Sequence, residues 1–131
     1  MQASLTLPVD AIREGLAADP EWALVARYWN ADIRFFVGTD NYSLRVEEGR
    51  VVRFERRPDA SFAYTILIGG PTEAWREILK QVPPPYYQDF LPAQVFHGFT
   101  CGGDLESLYA YYAAISRILA IMRRCANQAR S

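Results

Sequence analysis

Lysine is almost missing from this chain: Lys80 is the only one among 14 basic residues, which are balanced by 15 acidic ones to a net charge of -1. With a pI near 5.8, no global field draws in nucleic acid, and a nucleic-acid partner is not expected. Histidine occurs once, at His97, and cysteine twice, at Cys101 and Cys125, without Cys-x-x-Cys spacing. A zinc site therefore has no support, and both cysteines read as free thiols. No apolar run approaches the ~20 residues that a membrane span needs. The start, Met-Gln-Ala-Ser-Leu-Thr-Leu-Pro, has no basic segment followed by an apolar core and does not read as a signal peptide. The expectation is a single domain over 1–131, in the cytoplasm. A glycine pair, Gly69-Gly70, stands where a phosphate loop could be sought, but no Gly-x-Gly-x-x-Gly and no following Lys-Ser/Thr accompany it.

What is abundant is apolar surface: half of the residues are hydrophobic and 14% are aromatic. The stretch Phe62 to Leu79 changes period in mid-course. Phe62, Tyr64, Ile66 and Ile68 alternate with Ala63, Thr65 and Leu67, so both faces of this strand are largely apolar and it sits deep in a sheet. Gly69-Gly70-Pro71-Thr72 then turns the chain, with Thr72 a candidate cap, into a helix whose apolar face is Trp75, Ile78, Leu79 and Val82.

Upstream, residues 8–18 read as a helix with Ile12 and Leu16 on one face. Asp19-Pro20-Glu21 opens a second, with Trp22, Val25, Ala26 and Trp29 as its buried stripe. After Asn30 the period drops to two: Ile33, Phe35 and Val37, then Tyr42, Leu44 and Val46, then Val52 and Phe54. Tight turns at Gly38-Thr39-Asp40-Asn41 and Glu48-Gly49 join them into an antiparallel meander of three strands that Pro58-Asp59 ends. The outer face, with Arg34, Arg45, Glu47, Arg53, Glu55 and Arg57, mixes signs and suits cross-strand ion pairs.

Downstream, Pro83-Pro84-Pro85 forces an extended arm that presents Tyr86, Tyr87, Phe90 and Leu91, either as a plug at one end of the core or as a lid over an apolar pocket. Val95 to Thr100 reads as a short fifth strand. Asp104 caps a final helix over about 105–127. It carries Leu105, Leu108, Tyr109, Tyr112, Ile115, Leu119 and Met122 on one face, with Ala110, Tyr111, Ala114, Ile118 and Ile121 opposite. Such a helix is packed on two sides, the second against a helix, a ligand or another subunit. Arg117, Arg123, Arg124 and Arg130 near its end complement the helix dipole or form a patch for anionic headgroups or a coenzyme A phosphate.

This order of elements, with Asp19-Pro20-Glu21-Trp22, Tyr42-Ser-Leu-Arg-Val-Glu-Glu-Gly, the Thr72-Glu-Ala-Trp75 helix start and Gly103-Asp104 before an apolar helix, resembles the sterol carrier protein 2 family. The resemblance implies an α+β fold, a five-stranded sheet covered on one face by helices, with a hydrophobic tunnel between the layers for fatty acyl, sterol-like or isoprenoid lipids. It implies lining residues at Phe35, Tyr64, Trp75, Ile78, Leu79, Phe96, Leu108, Tyr112 and Ile115, to which the arm adds Tyr87 and Phe90. The tail Asn-Gln-Ala-Arg-Ser is not a Ser-Lys-Leu address. No cofactor and no metal are expected.

Catalytic candidates are thin. His97 between Phe96 and Gly98 reads as structural, Cys101 has His97 four residues earlier on a strand, which sends the two side chains to the same face but some distance apart, and Asp59, Asp89 and Asp104 are explained as turns or caps. The preferred reading is a binding and transfer module for an apolar small molecule. Its alternatives are a small α+β enzyme, an isomerase or hydrolase using His97, Asp89 or Tyr112, and an interaction subunit docking Tyr111, Ile118 and Ile121 on a second copy or a larger enzyme.

Overall fold

The computed structural model describes residues 5–58 and 63–128. Phe62, Asp59 and Arg130, named above for the central strand, the turn and the basic patch, lie outside the described residues. The elements run α1 (Val9–Ala17), α2 (Pro20–Val25), β1 (Ala31–Val37), β2 (Asp40–Glu47), β3 (Arg50–Arg56), β4 (Ile66–Gly70), α3 (Thr72–Ile78), α4 (Phe90–Phe96), β5 (Thr100–Gly103), α5 (Leu105–Ala110) and α6 (Tyr112–Gln128). The five strands form one mixed sheet in the order β3-β2-β1-β4-β5. β1, β2 and β3 are the expected antiparallel meander, and β4 adds in parallel to β1, with Ile33 opposite Ile66 and Phe35 opposite Ile68.

The pleat sorts the side chains. Ile33, Phe35 and Val37 of β1, Tyr42, Leu44 and Val46 of β2, Phe54 of β3, and Ile66 and Ile68 of β4 are buried with the apolar faces of the helices. On the opposite face lie Asp32, Arg34, Ser43, Arg45 and Arg53, tied by the cross-strand ion pairs Arg45–Asp32 and Arg53–Asp32, both at 3.5 Å. One expected alternation breaks. Val46 pairs with Val51 whereas Arg45 pairs with Arg53, so Val52 is an extra residue in a bulge. Val51 therefore packs against the core, and Val52, expected inward, is 51% exposed.

The helices close the layer with few strong tethers. Asp19 accepts from the Trp22 amide at 2.8 Å and takes a forked ion pair from Arg117 of α6 at 2.7 and 2.8 Å. Each tryptophan indole is satisfied by another element: Trp22 donates to the Gly49 carbonyl, Trp29 to Ser107 and Trp75 to the Phe36 carbonyl. Trp22 and Trp29 are core, as their stripe indicated, although α2 already ends at Val25 and Tyr28 turns through a positive φ of 70°.

Three boundaries differ from expectation. Pro71, in an extended conformation, is the N-cap of α3, so Thr72 is already helical and caps nothing; the helix stops at Ile78 and leaves Val82 85% exposed. The segment expected as a strand from Val95 is the end of α4, and β5 begins only at Thr100. The long last helix is broken at Tyr111, whose ring stacks on Trp29 with centroids 5.1 Å apart.

The second face of α6 is already covered. Ile118 and Ile121 are buried, with α1 and α2 packed against the helix, so this face is taken up within the chain and is not the docking surface that the sequence suggested. Arg117 likewise serves Asp19 and Glu21, not an external anion.

Candidate functional site

The seam between sheet and helices is held by a cluster of rings. Phe35 from the central strand meets Trp75 of α3 at 6.2 Å and Phe90 of α4 at 6.3 Å; Trp75 meets Phe90 at 5.7 Å and Phe99 at 5.3 Å. Ile78 and Leu79 from the end of α3, Leu108 of α5 and Ile115 of α6 are buried in the same core. The edge-on and tilted ring contacts suit the aromatic quadrupole and pack densely. Phe35, Trp75, Ile78 and Phe90 have 0% of their surface accessible. No water-sized void touches them, so the seam is filled by side chains in this conformation.

Phe90 enters from a segment with its own internal order. The Tyr86 ring stacks on Phe96 at 4.0 Å, and the next residue, Tyr87, stacks on His97 at 3.7 Å. His97 Nε2 donates to the Pro85 carbonyl at 2.9 Å. The arm and α4 are thereby clasped to each other along two consecutive pairs. Near one end Val82 is largely exposed, and at the other Gly98, at φ 76°, has open space where a side chain would stand. Gly98 follows the C-cap His97 and lets the chain reverse in the left-handed region without strain.

Polar groups moor this segment to the body. Asp89 caps α4 through the Phe90 amide at 2.8 Å and accepts from Ser116 Oγ at 2.5 Å. The Leu91 amide donates to Tyr112 Oη at 3.0 Å. Arg123 reaches under the arm to the carbonyls of Ile78 at 2.8 Å and Tyr87 at 3.2 Å. Burial raises the Tyr112 phenol well above its usual range, against the Leu91 amide, which lowers it, and with the Asp89 charge adding to the rise. The phenol stays protonated as a structural hydrogen-bonding group.

The thiols are no better placed for chemistry. Burial, with a smaller push from Asp89, raises Cys101 to about 11, and burial raises Cys125 as well. A thiol held this high is a poor nucleophile near neutral pH. His97 lies at the end of a helix and stacks on Tyr87 rather than sharing a strand with Cys101. Among the described residues, no group of three or more His, Cys, Asp or Glu could hold a metal ion.

Of the residues singled out in the sequence, Phe35, Trp75, Ile78, Leu79, Phe90, Leu108 and Ile115 are buried in this one core, with Tyr112 half-buried beneath α4 and Tyr87 at its rim. Tyr64 and Phe96 stand elsewhere. Tyr64 precedes β4, lies over the Arg34 guanidinium on the opposite sheet face and is 47% exposed. Phe96 points outward from α4 at 57% exposure, because the segment is helical and not extended. Its expected place is filled by Phe99, which the sequence reading missed. The signal was present: Asp89 as a cap, apolar Phe90 and Ala93 three apart, and Gly98 as a stop together define a helix and carry the next aromatic inward.

Surface clefts among the described residues lie outside the seam. One of about 450 Å³ runs over the uncovered face of β1 and β4 along Phe36, Tyr64, Leu67 and Pro71. Another of about 670 Å³ separates Glu73 and Glu77 of α3 from Tyr87 and His97. A third, about 520 Å³, is bounded by Gln81, Arg123, Arg124 and Asn127.

No family model and no curated protein matches this chain. Solved structures do. The chain is similar to a crystal structure of sterol carrier protein 2, with a TM-score of 0.73 at 14% identity over 92% of this chain and 97% of the other. It is similar to the solution structure of TT1886 from Thermus thermophilus, a conserved hypothetical protein described as possibly a sterol carrier protein; the TM-score is 0.70 at 13% identity, over 95% and 92% of the two chains. A third similar structure is the UbiJ-SCP2 ubiquinone synthesis protein, with a TM-score of 0.57 at 11% identity over 84% and 90%. An open mixed sheet of five strands, its central ring cluster roofed by helices from both ends of the chain, is thus the sterol carrier protein 2-like fold.

Proposed function

We propose that this chain binds a hydrophobic small molecule between its sheet and its helices and acts by carriage, not by bond-making chemistry. The single observation that supports the reading most is that the aromatic seam is plugged by one side chain, Phe90, borne on a segment clasped to itself. The segment from Lys80 to Gly98 swings out as a unit, Phe90 withdraws, and the ligand takes its place against Phe35, Trp75, Ile78, Leu79, Leu108 and Ile115. Tyr112 and Tyr87 then stand at the mouth.

The magnitudes are compatible. Exposing one large apolar side chain costs about 1.5–3 kcal/mol and each mooring hydrogen bond given up about 0.5–1.5 kcal/mol, while each buried methylene of a ligand contributes about 0.8 kcal/mol, so a chain of about ten methylenes offsets the opening. Longer acyl, sterol-like or isoprenoid ligands bind with a surplus. The names of two structural neighbours, sterol carrier protein 2 and a ubiquinone synthesis protein, support a lipid as the class.

Native mass spectrometry of freshly purified protein, followed by solvent extraction, tests this. A stoichiometric lipid mass is expected, with uptake weakened in Trp75→Ala. An empty protein that also takes up none of a panel of labelled fatty acids, sterols and prenols overturns the reading.

A further inference from the structure

Asp89 is the only Asp, Glu, Lys or Arg between Gln81 and Gly103. This lone charge is turned inward, beside the ring that fills the seam. One of its carboxylate oxygens accepts from the Phe90 amide at 2.8 Å, and the other accepts from the Ser116 hydroxyl at 2.5 Å. The Tyr112 phenol, raised first by burial and lowered by the Leu91 amide, is raised further by the Asp89 charge and by a hydrogen bond to that carboxylate. Burial lowers the Arg123 guanidinium, and the Asp89 charge opposes the shift.

The groups that receive Asp89 share one face of α6 by their spacing, and α6 has no acidic residue of its own. Arg123 is anchored from within. Its Nε and Nη2 hold the Ile78 carbonyl at 3.0 and 2.8 Å, and Nη2 also reaches the arm carbonyls of Tyr87 at 3.2 Å and Gln88 at 3.4 Å. When the arm leaves, Ile78 keeps the guanidinium in place. Ser116 and Tyr112 then lose their carboxylate, and Arg123 loses two of its acceptors.

We infer that Asp89 and Phe90 are a built-in stand-in for the ligand, an apolar monocarboxylic acid whose carboxylate displaces that of Asp89 from Ser116, Tyr112 and Arg123 while its chain displaces Phe90. This head site presupposes the carrier reading above. Two adjacent residues of one segment fill both halves of the site, the charge on the hydroxyls and the ring in the seam, and they withdraw together. Donors bared in a half-buried recess are costly, and a carboxylate satisfies them as Asp89 did. A sterol or prenol hydroxyl brings no charge to Arg123, and an ester brings no ionised oxygen, so neither replaces it at the head.

Equilibrium binding of radiolabelled tetradecanoic acid, tetradecanol and methyl tetradecanoate to the full chain tests this at about pH 8, where a free carboxylic acid is ionised. The three share one tail and differ in the head. The acid is expected to bind tighter than the other two by about tenfold or more. Ser116→Ala removes that preference, and Ser116→Thr, which keeps the hydroxyl, restores it. Asp89→Asn retains a cap for α4 but weakens the internal competitor, so all three ligands tighten by about fivefold. An acid bound no better than the alcohol and the ester, or a preference that survives Ser116→Ala in full, overturns the inference and leaves carriage standing. So does a sterol or prenol bound in place of the acid, or Asp89→Asn that fails to tighten the acid. Binding of none of these compounds overturns carriage and the head site together.

Discussion

The Tyr87 ring lies against the His97 imidazole 3.7 Å away and within 7° of parallel, while His97 donates to the carbonyl of Pro85. A rigid clasp of this kind makes the arm and α4 move together or not at all. His97→Ala is therefore expected to cost about 1 kcal/mol or less in global stability, the scale of one stacked pair. Amide exchange at Tyr87 and Leu91, read by NMR, should rise well beyond that change. Unaltered exchange at both amides would show that the clasp does not govern the segment.

Phe90→Ala is expected to lower stability by about 3–5 kcal/mol, since it removes a fully buried ring from between Phe35, Trp75 and Phe99. The same change empties the seam. Binding of a fluorescent fatty acid should tighten in the variant even as its unfolding midpoint falls. A loss of both together would speak against Phe90 as the plug.

Tyr112→Phe leaves the Leu91 amide without its acceptor while keeping the ring. An abandoned buried donor costs about 1–3 kcal/mol. The loss should appear as local opening of α4, visible by hydrogen exchange, with little change in α1.

The Asp19–Arg117 pair supplies a pH signature. The forked hydrogen bond from Arg117 holds Asp19 below its ordinary value, with burial opposing and the Trp22 amide assisting. A lowered pKa in the folded state contributes stability that is complete above the unfolded value, about 3.9, and that is lost as pH falls through the folded value. Denaturant titrations of wild type should thus weaken below about pH 4, while Asp19→Asn, already weaker near neutrality, shows a flatter dependence there.

Backbone positions give a sharper contrast. Gly103 has φ 90°, and a side chain there would strike the Thr65 carbonyl, so Gly103→Ala should cost about 3 kcal/mol through strain and the collision. Val51→Thr should be destabilising and Val52→Thr near neutral, because the bulge puts only the former toward the core. Equal effects of the valine changes, in chemical denaturation, would contradict that bulge.

The meander was legible because its turns are short and chemically explicit and its strands keep one wet face. β4 was legible because both of its faces are apolar, which suits a strand paired in parallel with β1. The bulge was not, since Val51 and Val52 differ in nothing but register. The α4 segment was misread from its second half: Val95 and Phe96 look like strand residues until Asp89 and Gly98 are taken as cap and stop. Of the ring cluster, Phe35 and Trp75 followed from period and Phe90 from the arm behind the prolines, Phe99 being the member displaced by that error. Whether such a cluster encloses space or fills it depends on how helices from distant parts of the chain settle on the sheet, and no local pattern records that.

Asp19 and Arg117 are 98 residues apart in the chain, and that distance has a consequence for how the protein is made. The meander leaves the ribosome early, when only α1 and α2 have been made to cover the face of Ile33, Phe35, Leu44 and Phe54. Its lasting cover includes Ile115, Ile118 and Met122, which are translated far later. At synthesis rates of about 5–20 residues per second, that face waits several seconds for its roof. A nascent chain in this state is a substrate for chaperones, and a stop codon before Arg117 would release a chain that keeps α1 to α5 but lacks the fork to Asp19 and the cover of Ile118, Leu119 and Met122.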